Sequence, residues 1–191
     1  MSPETQDVIR LTGESYEYKQ ADKVAHDRVT LTSYNLKDAP EIFALIDRNR
    51  DFFTQYDHRW TDKPKYQTVE QFTDTIKNPE DQNIHYFFIR NAKEEAVGGC
   101  RLKVDEDDPK SAEIGYFIDQ AQTHKRYASR AVRLIITYAT EELKLQKIKA
   151  FVNHENIGSV TTLERNGFEF TGIDPEDPTY HWYEHTLPNP K

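Results

Sequence analysis

Starting at Arg28, the run RVTLTSY carries the β-branched and aromatic residues of a strand, after which the apolar period lengthens. In NLKDAPEIFALIDRNRDFF, Ile42, Leu45 and Ile46 fall on one face of a helix that Asp38 caps and that has Pro40 in its first turn. Residues 66–78 predict a second helix, opened by Thr68 with Gln71 three residues later, the capping-box spacing, and closed at Asn78-Pro79. Three extended runs at 83–92, 96–105 and 111–119, joined by short charged turns, follow the pattern of an antiparallel meander. Residues 127–144 give the strongest helical stripe: Ala128, Ala131, Val132, Ile135 and Ala139 lie on one side, with Arg130, Arg133, Thr137 and Glu141 away from it. KIKAFVN at 147–153 is a strand, 157–165 a short helix ended by Asn166-Gly167, and FEFTG and YHWYEHTL are closing strands. That order predicts a single α/β domain over residues 28–187, with 1–27 as a polar N-terminal arm and 188–191 as a tail.

Composition adds a constraint on partners. The chain has 191 residues, long enough to bury a core, and its apolar fraction of 36% is made effective by 11 Tyr, 10 Phe and 2 Trp. With 25 Lys+Arg against 33 Asp+Glu the formal charge is −8, which repels a phosphate backbone and disfavours general nucleic-acid binding; a basic or amine substrate suits it better. No apolar stretch approaches the roughly 18 residues that span a bilayer, and MSPETQDVIR lacks a signal peptide's apolar segment, so the expected location is cytoplasmic, with no membrane partner. A single cysteine, Cys100, excludes an internal disulfide and a cysteine-based zinc cluster; alternation inside a strand reads it as an inert buried thiol.

The chemistry is expected where the meander meets the long helix. A strand feeding a helix N-terminus presents unpaired N–H groups and the positive end of a dipole, an arrangement that binds phosphate. His124, Lys125 and Arg126 sit in that loop, either as an anion site or as an ordinary solvated charged turn. His181 and His185 alternate on one face of the last strand, but two imidazoles with no third ligand in sequence make a poor metal site, and no metal is expected.

Two segments, AEIGYFIDQAQTHKRYASRAV and NHENIGSVTTLERNGFEFTG, resemble the GCN5-related N-acetyltransferases (GNAT), in particular their ribosomal-protein N-acetyltransferase-like branch. The second segment is the more specific: Asn156, Ser159, Leu163, Glu164, Gly167 and Phe168 reproduce N-x-x-S-x-x-x-L-E-x-x-G-F. The resemblance implies a mixed central sheet with flanking helices and a V-shaped opening for acetyl-CoA. The cofactor's pyrophosphate would be held by amides in a loop usually written Q/R-x-x-G-x-G/A. Thr123, His124, Lys125, Arg126, Tyr127 and Ala128 are the equivalents, followed by Ser129; Arg126 replaces the first glycine and only Ala128 matches. By the same resemblance Glu113 is the general base, backbone around Ile118 polarises the thioester carbonyl, and Asn156 bonds the pantetheine arm. Ser159 becomes the acid, because the Tyr that many relatives carry is Leu163 here. Taken without the family, Glu113 is an ordinary strand carboxylate, Asn156 a helix N-cap and Ser159 a first-turn residue, and these readings can coexist with the others.

The implied function is acetyl-CoA-dependent N-acetylation of a primary amine by direct attack in a ternary complex. A protein N-terminus, an aminoacyl conjugate and a small amine all stay open as acceptor. Tyr56, Trp60 and Phe53 are candidates for the wall of the acceptor pocket, with Glu113 beside them, and core packing is the competing and preferred reading for Phe53. Two rival functions are a noncatalytic binding module with a degenerate CoA loop and an acyltransferase using another donor such as succinyl-CoA. A homodimer is also open.

Overall fold

A computed structural model describes residues 8–12, 15–19, 28–34, 36–57, 63, 66–77 and 83–188. Trp60 and residues 189–191 of the expected tail lie outside them. The strands are β1 (Val8–Thr12), β2 (Ser15–Lys19), β3 (Val29–Ser33), β4 (Ile84–Arg90), β5 (Ala96–Val104), β6 (Ser111–Ile118), β7 (Lys147–Asn153), β8 (Glu169–Ile173) and β9 (Tyr180–Thr186). The helices are α1 (Ala39–Arg48), α2 (Arg50–Thr54), α3 (Val69–Lys77), α4 (Tyr127–Glu141) and α5 (Ile157–Arg165). All strands join one sheet in the order β1-β2-β3-β4-β5-β6-β7-β9-β8. The meander expected over 83–119 is β4-β5-β6, antiparallel throughout.

Side-chain alternation divides the core between the two sheet faces. One face carries Leu31, Phe87, Ile89, Leu102, Ile114 and Ile148 and is covered by α4 through Ala131, Val132, Leu134, Ile135 and Ala139. The other carries Phe88 and Phe117 and is covered by α1–α3 through Ile42, Leu45, Ile46, Phe53 and Phe72. Of its two readings Phe53 takes the core one, with its ring edge-on to Phe117 at 5.3 Å.

Several expected boundaries move, each for a local reason. In the arm, whose structure the sequence does not fix, the backbone of Val8–Thr12 and Ser15–Lys19 forms a hairpin added to β3. The first helix breaks at Asn49, whose buried Nδ2 donates to the Leu45 carbonyl instead of letting the chain run straight on. Asp38 makes no side-chain cap; it forms an ion pair with Arg90 at 3.2 Å. The long helix stops at Glu141 rather than residue 144, and Lys144, at φ 54, turns the chain back toward the sheet. Thr68 does cap, accepting the Gln71 amide at 3.2 Å.

The feature that positions the site is the one parallel pair among the described residues. β6 and β7 are registered only from Ser111↔Lys147 to Ile114↔Ala150, although β6 runs to Ile118 and β7 to Asn153. Beyond Ile114 the strands part, and the sheet opens into a V.

Candidate active site

The direction of the backbone in the open part of β6 follows from one bond. The Asp119 amide donates to Val97 of β5, so by alternation the Phe117 and Gly115 amides also point to β5. The N–H and C=O groups of Tyr116 and Ile118 therefore point away from β5, into the gap. Ile118 thus has the backbone orientation that its expected role requires.

At the end of β6 the chain enters the loop that precedes α4. Asp119 is buried there, and its carboxylate takes Arg48 Nη2 at 2.5 Å, Asn49 Nδ2 at 3.2 Å and the Ala121 amide at 3.2 Å. Asn49 Oδ1 in turn accepts the Gln120 amide at 3.0 Å. Burial pushes the Asp119 carboxyl up, but the bonds from Arg48, Ala121 and Asn49 outweigh it and hold the group below the usual carboxylate range. The grip of the Arg48-Asn49 pair on the end of β6 has no signal in the sequence, where the two residues read only as part of a helix.

His124 and Arg126 both have left-handed backbones, at φ 62 and φ 63, and Arg126 sits as N-cap of α4 without a side-chain cap. Arg126 thus occupies, at some strain, the backbone region that glycine enters freely. The first-turn amides of Tyr127, Ala128 and Ser129 are left for an external acceptor, and His124, Lys125 and Arg126 are exposed around them. Lys125 donates to Gln122 Oε1 at 2.8 Å and Thr123 Oγ1 to the Gln120 carbonyl at 2.8 Å, which ties the loop to itself. Tyr127 contributes only its amide, because its side chain is buried in the α4 core.

Asn156 caps α5, accepting the Ser159 amide on Oδ1 at 3.1 Å. Its Nδ2 has no partner among the described residues and is free to donate. Ser159 Oγ lies 2.9 Å from the Tyr116 hydroxyl, which also donates to the Ser159 carbonyl at 3.2 Å. Tyr116 is held neutral by burial, which pushes its phenol well above the ordinary value. Asn166 Nδ2 donates to Ser129 Oγ at 3.1 Å, joining the start of α4 to the end of α5.

Glu113 emerges on the opposite face of β6 from Tyr116, toward α1–α3, about one-third exposed. Its Oε1 is 2.6 Å from Arg101 Nη2, a partner the sequence reading missed because only the β5–β6 register brings the two together. On the other side of the V, Phe151 stacks on Tyr180 at 4.6 Å. The Tyr56 carbonyl accepts the Tyr180 hydroxyl at 2.9 Å and Asn153 Nδ2 at 3.3 Å, so the segment after α2 is fastened across the opening. The structure therefore gathers Thr123–Ser129, Asn156 and Ser159 on the α4 side of β6, and Glu113 and Tyr56 on the α1–α3 side. Cys100 is buried, and burial raises its thiol far above the reactive range.

A uncapped helix start, a left-handed loop before it and a strand pair that splays beside it form a cradle for a phosphorylated, extended ligand. The model of the acetyltransferase (GNAT) domain matches residues 28–169. The chain belongs to the GNAT family. The GNAT chain is 31% identical over 158 residues to the probable N-acetyltransferase YjcK of Bacillus subtilis (strain 168), covering 78% of this chain and 86% of that protein. It resembles in fold the spermidine N-acetyltransferase of Vibrio cholerae in complex with CoA and spermine, with TM-score 0.71, 22% identity, and coverage of 83% and 95%. It likewise resembles RimJ of Mycobacterium smegmatis in complex with CoA-disulfide, with TM-score 0.72, 19% identity, and coverage of 86% and 84%. This GNAT domain is an acetyl-CoA-dependent N-acetyltransferase, and the ribosomal-protein branch is among its structural neighbours. Among the described residues no helix is long and apolar enough to cross a membrane.

Proposed function

We propose that the chain acetylates a primary amine in a ternary complex, with Glu113 as base and the Tyr116–Ser159 pair as the proton source on the far side of β6. The observation that carries this reading is the opening of the β6–β7 pair between those two sets of side chains. Acetyl-CoA supplies an activated acetyl thioester when bound. The amides of Tyr127, Ala128 and Ser129, with His124 and Arg126 beside them, would hold its phosphates, and Asn156 Nδ2 would bond the arm that lies in the opening. The residues fit that ligand because the donors are uncapped and the loop already has the left-handed turns that bring them together.

An amine is protonated at neutral pH and gains nucleophilicity only when that proton leaves; Glu113 is the carboxylate on the acceptor side that can take it. The Ile118 N–H faces the gap, where negative charge on a carbonyl oxygen would be stabilised. Ser159 Oγ holds a proton on the other side and is positioned by the Tyr116 hydroxyl at 2.9 Å. Tyr56, whose carbonyl is fastened to Tyr180 and Asn153, is the proposed wall of the acceptor side. The proposed setting is the cytoplasm.

The test is thermal unfolding with and without acetyl-CoA, followed by CoA release in the presence of amines. At about 100 times its Kd the ligand adds roughly 2.7 kcal/mol of stability, a shift of several degrees. No shift at millimolar acetyl-CoA would favour a noncatalytic module.

A further inference from the structure

The acceptor side of β6 has a shape and a charge arrangement of its own. Tyr86, Arg101 and Gly115 form one row across β4, β5 and β6, and Phe88, Gly99 and Phe117 form the next. Both rows face α1–α3. The glycines keep the floor low: a Cβ on Gly99 would meet the Phe117 ring at 2.8 Å, and one on Gly115 would meet Arg101 Nε at 3.1 Å.

Beside this floor lies a half-open cavity of about 280 Å³, walled on this side by Tyr34, Ile46, Tyr66, Phe72, Tyr86 and Phe117 and reaching past β4 to His85, Phe87 and Tyr138 of the α4 side. Its near end adjoins Arg101, because Tyr86 is the cross-strand partner of Arg101 and the Arg101 charge is felt at the Tyr66 phenol. Burial, with Tyr86 adding to it, nonetheless raises Tyr66 to about 12, so the phenol is neutral at physiological pH. The walls are mainly ring faces, with Ser33, Thr75 and His85 as the polar lining and burial holding the His85 pKa down; the cavity is at the small end of those that take ligands and matched to a single ring rather than an extended chain.

Arg101 is the other half of the argument. It is about one-third exposed and spends one N–H on Glu113; its remaining donors have no partner among the described residues. When Glu113 takes a proton from the acceptor, Arg101 loses its counter-charge. An acceptor that brings its own anion keeps the guanidinium neutralised throughout. An acceptor with a second ammonium next to the reacting one places like charge against Arg101.

We infer that the acceptor is a primary amine bearing both a ring, seated in the Tyr34–Tyr66–Phe117 cavity, and an adjacent carboxylate-like anion held by Arg101, the chemistry of an aromatic α-amino acid. This rests on the N-acetyltransferase reading of the same site. The acceptor nitrogen gains the acetyl carbon as it gives a proton to Glu113, and the sulfur which that carbon leaves takes up a proton, so no further reactant is needed.

The test is a panel of L-phenylalanine, L-phenylalaninamide, 2-phenylethylamine, L-alanine and spermidine, read as kcat/KM for CoA release by the full chain. Acetyl-CoA binding is measured separately by thermal shift. Phenylalanine is expected to exceed each of the others by roughly 10- to 100-fold, the scale of one charge-assisted hydrogen bond or of a lost ring. In Arg101→Gln the ratio of phenylalanine to phenylalaninamide is expected to fall toward one. Equal or better use of phenylalaninamide, the mimic of a protein N-terminus, or of spermidine overturns the inference while leaving N-acetyl transfer intact. Acetyl-CoA binding without turnover of any of the five also overturns it. Absence of acetyl-CoA binding overturns the underlying reading of the site.

Discussion

Glu113 is paired before any substrate arrives, and that makes its substitution informative. Glu113→Gln keeps the size and a hydrogen bond to Arg101 but removes the base; turnover at neutral pH is expected to fall about 10²-fold or more with acetyl-CoA affinity kept, measured by CoA release and by ligand titration. On the other face, Tyr116→Phe removes the hydroxyl at 2.9 Å from Ser159 and is expected to lower kcat more than KM, at about 1 kcal/mol of stability. At Arg126, φ 63 predicts that Arg126→Gly raises stability by about 1 kcal/mol, whereas Arg126→Ala does not; thermal unfolding of the two separates backbone relief from lost charge. Strand alternation is enough to place Glu113, Gly115 and Phe117 on one face of β6. It could not supply Arg101, twelve residues away, because an ion pair between strands depends on the register, which is fixed by the turn at 105–110 and by burial on the other face.

Among the elements, the α1–α2 break carries the most weight. The hydrophobic period read one helix through DRNRDFF, correctly for the face of Ile42, Leu45 and Ile46, and incorrectly for its continuity. What breaks it is a tertiary demand: Asn49 and Arg48 turn to Asp119 and Gln120, 70 or 71 residues on, and no local pattern encodes that. Two expectations follow. Asn49→Ala leaves the buried Asp119 carboxylate short of a donor and is expected to weaken acetyl-CoA binding although Asn49 is not in the α4 loop. The Asp119 carboxyl is depressed in the folded chain, so its stabilising contribution is complete above the ordinary carboxylate pKa near 4 and is lost as pH falls through the lower folded value. Asp119→Asn should therefore show a shallower loss of stability below about pH 4 than the wild type in acid titrations of the unfolding midpoint.

Over the whole molecule, the order of strands and helices was readable because each element buries one face and the periods differ; the split of the core between α4 and α1–α3 follows from the same alternation. The V was implied only by the family resemblance, since a strand pair that stops at Ile114 leaves no mark in hydropathy. The core itself obeys ordinary packing: Ile135→Ala, at a site with no exposed surface, should cost about 2–5 kcal/mol in denaturant unfolding. The Arg48-Asn49 clamp has a last consequence. It extends from the helix whose Ile46 walls the acceptor cavity to the segment that leads into the α4 loop, so the two binding events share one lever. Thermodynamic reciprocity then requires that whatever factor an acceptor analogue imposes on acetyl-CoA affinity, acetyl-CoA imposes on the analogue. Titrating each ligand at saturation of the other measures that factor, and in Asn49→Ala it should shrink toward one.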